Sequence, residues 1–193
     1  MHFIPTTLET YLAMEAGSDT RYEYYDGLIV AMAVGSPRHS KIAMNIGAAL
    51  HAALRASGKS CDVFTSDAKV SIRPGGIRVY PDVSVVCGPV EPDPHEPRAM
   101  TNPVLIVDVL SEATELHDRS TKFAAYRQLT TLHEYVLVSQ DKALVEVFSR
   151  TPEGIWQFQV VTGAGTVRLP GLEMSLPLSD VYYRVDFTET SVS

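Results

Sequence analysis

The amino-acid sequence predicts an α/β (α+β) fold, and two segments carry this prediction. Residues 37–57 place apolar side chains such as Ile42, Ile46 and Leu50 at helical spacing, with a proline at the start and Gly58 directly after the segment. Residues 103–111 are apolar on both faces, which is typical of a central strand in a sheet. We therefore expect a long amphipathic helix beside a buried sheet.

The N-terminal part of the chain predicts a short helix followed by a hairpin. Residues 6–16 have apolar positions at helical spacing behind a threonine cap. Residues 22–34 carry Asp26-Gly27 at their centre, a dipeptide strongly favoured in two-residue hairpin turns. The segment is therefore expected to form two antiparallel strands.

The middle and C-terminal parts predict further strands and one more helix. Residues 61–73 and 77–87 are each expected to form one strand, and the short Gly75-Gly76 connection makes them an antiparallel pair. Residues 88–103 contain five prolines and are expected to form a surface loop. The remaining predictions are a helix at 116–130 and strands at 133–139, 143–149 and 155–162.

Length and charge limit the classes of protein to consider. The 193 residues are enough for one core, so a single domain at 1–193 is expected, with a core from about 6 to 187 and a disordered tail at 188–193. The net charge of -7 does not favour a protein that holds nucleic acid by phosphate neutralisation alone. Bound divalent cations can reverse that electrostatics locally.

The two cysteines and the chain start predict a location. Cys61 and Cys87 form no zinc pattern and are expected to be buried free thiols. The sequence starts without a signal-peptide pattern, and it has no apolar run near the roughly 20 residues that span a bilayer. A reducing cytoplasm and no membrane contact are therefore expected.

Two aspartates lie in apolar strands and call for an explanation. Asp108 is in the middle of the segment 103–111, and Asp82 follows Pro81 at the start of a β-branched run. A buried carboxylate loses several kcal/mol of hydration unless a partner, a proton or a metal compensates. If the two strands are neighbours, both carboxylates reach one crevice, where hard oxygen ligands suit Mg²⁺ or Mn²⁺. The alternatives are a turn residue at Asp82 and a structural ion pair at Asp108.

Several short motifs follow one another along the chain. They are Tyr22-Glu23, Asp26-Gly27, Pro37 with His39, residues 80–86 and 103–111, Asp118, Lys122, Tyr126 and residues 134–136. Their order and spacing resemble the Uma-type restriction endonuclease family, over nearly the whole chain. That family belongs to the PD-(D/E)XK nuclease superfamily, so the resemblance implies a restriction-endonuclease-like core with a mixed central β-sheet flanked by helices.

The resemblance also implies a metal site. Asp82 matches the PD element, Asp108 the second acidic position, where the family more usually has glutamate, and the Val109 carbonyl is an expected further ligand. The superfamily motif asks for lysine two residues after Asp108, where this chain has Leu110, and Lys122 is expected to supply the ammonium instead.

Three more residues are implied around that site. Asp118 is four residues before Lys122 and is expected to hold it as an i,i+4 pair, Glu23 is a further acidic contributor, and His39 is a substrate contact or supports the metal ligands. Simpler explanations stay open for Lys122, Glu23 and His39: a solvated helix lysine, a strand-edge glutamate facing water, and a polar residue in a helix's first turn. Asp67 and Lys69 share a strand face near Asp82 and are outer candidates.

The resulting hypothesis is Mg²⁺- or Mn²⁺-dependent endonuclease cleavage of nucleic acid, with DNA as the expected substrate. A catalytically inactive relative that binds nucleic acid or protein is the alternative, favoured by the acidic charge, Leu110 and the aspartate at 108. Exposed strands near the C-terminus also suggest a homodimer. Neither GxSxG, GxGxxG nor a P-loop is present, which disfavours serine hydrolases and nucleotide-cofactor enzymes.

Overall fold

The computed structural model describes residues 3–18, 20–32 and 35–188. The predicted tail is therefore outside the described residues except for Thr188, as are the last two residues of the predicted hairpin segment. The helices are α1 (Leu8–Gly17), α2 (Pro37–Ser57), α3 (Glu115–His117), α4 (Phe123–Tyr126) and α5 (Leu178–Val181), with a π-helical turn at Asp118–Lys122 and a 3-10 turn at Pro170–Leu172.

The strands form a seven-stranded, a six-stranded and a two-stranded sheet, so the α+β class with mixed sheets flanked by helices is confirmed. The sheet orders are β1-β3-β2-β6-β5-β9-β8, β13-β12-β11-β10-β7-β4 and β14-β15. The strands are β1 (Ile4–Pro5), β2 (Tyr22–Tyr25), β3 (Leu28–Ala31), β4 (Cys61–Thr65), β5 (Lys69–Ser71), β6 (Arg78–Val79), β7 (Val83–Cys87), β8 (Pro92–Asp93), β9 (Glu96–Met100), β10 (Leu105–Leu110), β11 (Glu134–Ser139), β12 (Leu144–Arg150), β13 (Trp156–Thr162), β14 (Thr166–Leu169) and β15 (Met174–Pro177).

The long helix α2 covers one face of the six-stranded sheet. It begins at Pro37 behind the Ser36 cap and ends before Gly58, whose left-handed backbone (φ 70°) closes the helix. Its apolar stripe, with Ile42 and Ile46, packs on the face of β10 that carries Val107. The prediction of this helix is confirmed at both ends.

The central strand β10 pairs in parallel with β11 and antiparallel with β7. Its second face, which carries Ile106, Asp108 and Leu110, turns away from α2. That face packs against a core that α4 and the seven-stranded sheet share, with Tyr126 and Val79 as members. The site residues therefore lie between the two large sheets.

The two predicted strands at 61–73 and 77–87 are each divided in the structure. Each contributes one strand to the six-stranded sheet (β4 and β7) and one to the seven-stranded sheet (β5 and β6), and both pairings are antiparallel as predicted. The breaks fall at residues 66–68 and at residues 80–82, where Pro81 cannot donate a ladder hydrogen bond. Expecting one continuous strand in each segment was wrong.

The proline-containing segment 88–103 is not a structureless loop. It contains β8 and β9, and β9 pairs in parallel with β5. Asp93, fully buried, accepts a hydrogen bond from Ser71 and forms an ion pair with Arg78 at 3.3 Å. Because Asp93 and Arg78 are both buried, their ion pair holds the segment 88–103 on the seven-stranded sheet.

The two cysteines are joined, so the prediction of free thiols was wrong. Cys61 and Cys87 are directly opposite in the antiparallel β4–β7 pair, and a disulfide links them. The pairing of β4 with β7 thus brings together two residues that are 26 positions apart in sequence. Disulfides are rare in a reducing cytosol, and the cytoplasmic location stays a prediction. Within the described residues, no helix is long and apolar enough to cross a membrane.

One buried carboxyl, on β11, points to the opposite face of the sheet from its neighbour Tyr135. Glu134 is fully buried, and one of its oxygens accepts a hydrogen bond from the Gly171 backbone. The other oxygen, Oε2, has no hydrogen-bond partner among the described residues. Burial, only partly opposed by the Gly171 hydrogen bond, raises the pKa of Glu134 to about 7.

Candidate active site

The two predicted acidic ligands meet at the backbone of β10. Asp82 Oδ2 accepts a hydrogen bond of 2.7 Å from the amide of Val109, the residue after Asp108. The break in the β6–β7 segment turns Asp82 toward this strand, while Asp108 projects from β10 itself. The two side chains are close enough that the negative charge of Asp82 contributes to raising the pKa of Asp108.

Asp108 is held through both carboxylate oxygens. Lys122 Nζ lies 3.3 Å from Oδ1, and the Tyr135 hydroxyl donates a 2.8 Å hydrogen bond to Oδ2. Burial, opposed by the Lys122 ammonium, raises the pKa of Asp108 to about 7. Asp108 is therefore protonated more readily than an exposed aspartate.

Lys122 occupies the centre of an acidic cage. Its ammonium lies 3.2 Å from Glu23 Oε1, 3.3 Å from Asp108 Oδ1 and 3.6 Å from Asp118 Oδ1, and it is only 6% exposed. Burial opposes its charge, but Asp108 and Glu23 together hold the pKa of Lys122 above the usual range. A solvated helix lysine, the simpler explanation, is wrong for Lys122.

Asp118 and Lys122 are the first and last residues of a π-helical turn, and both face the cage. Phe123 donates its backbone N–H to the Asp118 carbonyl, five residues back, so this turn is wider than an α-helical one. Both side chains are buried, and burial raises the pKa of Asp118. Helices α3 and α4 continue on either side of this turn.

Glu23 reaches the cage from the first hairpin. Besides Lys122, its oxygens accept hydrogen bonds from the Tyr25 hydroxyl (2.7 Å) and the Tyr80 backbone amide (3.1 Å). Glu23 is 4% exposed, so a strand-edge glutamate facing water is not what the structure shows. Its contact with Tyr80 links the hairpin to the segment that carries Asp82.

His39 lies on the Asp82 side of the site. Its Nε2 is 3.2 Å from Asp82 Oδ2, and its ring also hydrogen-bonds the Val109 backbone. Burial disfavours the imidazolium, yet the hydrogen bond and charge of Asp82 outweigh it and raise the pKa of His39. His39 therefore contacts two of the three predicted metal ligands.

Two outer candidates are not brought to the site. Asp67 is exposed and pairs with Arg21, whereas Lys69 lies 2.8 Å from Glu15 Oε2 and also binds Glu96. Both belong to contacts of the seven-stranded sheet. Sequence reasoning also missed Tyr135 as a partner of Asp108; the signal was a tyrosine in an apolar strand, on the face that would meet Asp108 in a parallel pair.

The donor set around Asp82 and Asp108 has the chemistry that a hard divalent cation takes. Two carboxylates and the Val109 carbonyl are oxygen ligands, and Mg²⁺ commonly uses one or two carboxylates, with water and phosphate completing its shell. In residues 3–18, 20–32 and 35–188, no group of three or more His, Cys, Asp or Glu side chains could by itself hold a metal ion. A metal here would thus need water or substrate oxygens.

Comparisons with known proteins agree with this architecture. The family model described as "Putative restriction endonuclease" (Uma2) matches residues 8–179. Two uncharacterized proteins of Synechocystis sp., slr1290 and sll1609, are 33% and 29% identical to the chain, over 91% and 81% of it and 90% and 88% of their own lengths.

A solved structure has the same fold. The crystal structure of a "putative nuclease belonging to DUF820" from Anabaena variabilis superposes with a TM-score of 0.73 at 16% identity, over 92% of this chain and 98% of that one. At this identity the likeness concerns the fold alone.

Proposed function

The chain belongs to the Uma2 family, and from that premise we propose that it is a metal-dependent endonuclease that hydrolyses phosphodiester bonds of DNA. The observation that carries the proposal is the pairing of Asp82 with the Val109 amide at 2.7 Å, which sets its carboxylate beside Asp108. Such a carboxylate pair next to a buried ammonium suits metal-assisted phosphate chemistry.

Asp82, Asp108 and the Val109 carbonyl are the proposed ligands of Mg²⁺ or Mn²⁺. A bound metal supplies electrophilic activation of a phosphate oxygen and a water of lowered pKa. Charge favours a cation in this place, because Glu23, Asp82, Asp108 and Asp118 contribute four carboxyl groups against the basic groups of Lys122 and His39.

Lys122 is the proposed electrostatic catalyst. Its ammonium is held within 3.6 Å of three carboxylates, so it needs no rearrangement to oppose negative charge that develops on a phosphate beside Asp108. Glu23 and Asp118 hold that ammonium in place and keep it protonated. Together they replace the geometry that a lysine at Leu110 would give.

His39 is the proposed contact between the ligands and the substrate. It is bound to Asp82 and to Val109, and its side chain is 18% exposed, so part of the ring is open to an incoming phosphate. A raised pKa favours the cationic ring, which attracts an anion. The role proposed for His39 is therefore orientation of the substrate beside Asp82.

A cleavage assay tests the proposal. Wild-type protein is incubated with plasmid and oligonucleotide DNA in Mg²⁺, Mn²⁺ or EDTA and compared with Asp108→Ala and with Asp62→Ala, a control on exposed Asp62 of β4. We expect cleavage only with metal, a loss of about a hundredfold or more for Asp108→Ala, and no change for the control. Metal-dependent cleavage that survives Asp108→Ala would rule out this site.

A non-catalytic module for nucleic-acid or protein binding is the second candidate function. It is favoured by the engagement of both Asp108 oxygens and by the enclosure of Lys122, which leave a closed ionic cluster. Isothermal titration with Mn²⁺ separates the two candidates. If millimolar Mn²⁺ gives no heat of binding, the non-catalytic module is supported. If wild type binds Mn²⁺ saturably and Asp82→Asn does not, the enzyme is supported.

A homodimer is proposed through the edge strand β13. Its sequence WQFQVVT has no charge or proline to block pairing with another strand, and Phe158 and Val160 are 55% and 48% exposed. Antiparallel pairing of two copies would join two six-stranded sheets and cover both side chains. Light scattering of wild type and Phe158→Lys checks this, since a dimer at this edge becomes a monomer in the variant.

A further inference from the structure

A groove between α2 and β4 opens beside the candidate active site. Its volume is about 330 Å³, and Asp82 is among the residues that line it. Helix α2 contributes one wall and β4 the other. The groove is thus continuous with the point where a scissile phosphate would be held.

Small residues on α2 keep the groove open. Ala43, Gly47 and Ala48 line it from the helix, and a Cβ on Gly47 would lie 3.7 Å from the Val83 side chain. Longer side chains at these three positions would reduce the space. The opposite wall, from β4, presents Val63 and Thr65.

The lining predicts a ligand that is mostly uncharged. None of the described residues around the groove is lysine or arginine, and Asp82 is its one carboxylate within that lining. A phosphate chain would meet no lysine or arginine along these walls, and His51 contributes the one imidazole within that lining. Apolar walls with a few hydroxyls, such as those of Ser40 and Thr65, suit a flat heterocycle with polar edges.

We infer that this groove takes an unpaired nucleobase next to the scissile phosphate, so that the substrate is single-stranded at the cut. The inference rests on the proposed function and narrows its substrate. With the phosphate at Asp82, the neighbouring base is the uncharged part that can reach the groove. A paired base in a duplex is stacked and has to be taken out of the helix first. The net charge of -7 agrees, because duplex DNA needs more phosphate neutralisation than a single strand.

The test compares single-stranded and duplex substrates in a groove-filling variant. A labelled oligonucleotide, alone or annealed to its complement, is cleaved in Mn²⁺ by wild type, Ala48→Leu and Ala52→Leu. Both alanines are exposed on α2, but only Ala48 is among the described groove residues. We expect single-strand preference in wild type, a KM raised about tenfold by Ala48→Leu, and wild-type behaviour for Ala52→Leu.

Binding measured without metal separates this inference from the proposed function. Fluorescence anisotropy with the same oligonucleotide in EDTA should show single-strand binding that Ala48→Leu weakens about tenfold. Such binding without any cleavage in Mn²⁺ would support the groove and reject the nuclease proposal. Equal binding of duplex and single strand, or binding that Ala48→Leu leaves unchanged, overturns the inference even if the protein cleaves DNA.

Discussion

The hydroxyl of Tyr135 donates a 2.8 Å hydrogen bond to Asp108 Oδ2, and it also lies 3.2 Å from the Asp118 carbonyl. This single group joins the central strand to the π-helical turn. Tyr135 is fully buried, so water cannot replace it. The orientation of Asp108 therefore depends on a residue that is outside the acidic cage.

Tyr135→Phe should weaken metal binding without changing the fold. Asp108 loses the donor that fixes its carboxylate, so we expect Mn²⁺ affinity to fall about tenfold or more and the free energy of unfolding to fall by about 1–2 kcal/mol. Isothermal titration and urea unfolding measure the two effects. Tyr126→Phe is the matched control, because the buried Tyr126 hydroxyl has no hydrogen-bond partner among the described residues. An equal loss in both variants would contradict the role of Tyr135.

Lys122→Met should destabilise the protein strongly. The substitution leaves Glu23, Asp108 and Asp118 without their shared ammonium in a buried place, and losing one partner of a buried pair costs about 3–5 kcal/mol. Lys122→Arg keeps the charge and should lose less. Guanidinium unfolding of the two variants at neutral pH is the measurement. A Met variant as stable as the Arg variant would show that the carboxyl groups carry protons instead.

Glu134→Gln should change how stability depends on pH. The folded pKa of about 7 is above the ordinary value of 4.5, so the folded state binds this proton more tightly than the unfolded state. The tighter binding of this proton stabilises the folded state. The contribution is complete below about pH 4.5, is lost as the pH rises through 7, and amounts to at most about 3 kcal/mol. Unfolding curves at pH 5 and pH 8.5 measure this. The free energy of unfolding of the variant, relative to wild type, should be higher at pH 8.5 than at pH 5. A constant difference between the two pH values would contradict the assignment.

Reduction of the Cys61–Cys87 disulfide should lower stability. Closing a chain segment of 26 residues removes unfolded-state entropy worth about 3.5 kcal/mol in the loop model. Urea unfolding with and without dithiothreitol measures the difference in wild type. The double variant Cys61→Ser, Cys87→Ser should not respond to the reductant, and a response there would point to another cause.

Local sequence signals predicted the elements whose determinants are contiguous. Helix α2 was predicted to the residue because Pro37, Gly58 and the apolar stripe act within one segment. The segments 61–73 and 77–87 differ, since each continues from one sheet into the other. Both sheets bury apolar side chains in one shared core, so the apolar pattern runs on past the bend and conceals it.

The part of the site that could be predicted is the part whose burial is evident from the sequence of one strand. Asp108 in an apolar strand signals a partnered carboxyl, and Asp82 after Pro81 signals a second one. Glu23 and Lys122 were expected there only from the family resemblance, and Tyr135 was not expected, because these three residues come from separate elements that meet only after folding. The disulfide belongs with them, since it depends on the register of β4 against β7.

The wide turn at Asp118–Lys122 makes the position of the ammonium sensitive to chain length. Removing one residue, such as Ser120, would convert the turn to α-helix and leave Asp118 and Lys122 three residues apart instead of four, which changes the angle between them because an α-helix rotates about 100° per residue. Either Lys122 would then leave the carboxylates or Phe123 would leave its stacked place beside Tyr135. Relatives of this protein should therefore tolerate substitutions in this turn far better than insertions or deletions, and a single-residue length change there is a simple way for the fold to lose its buried lysine.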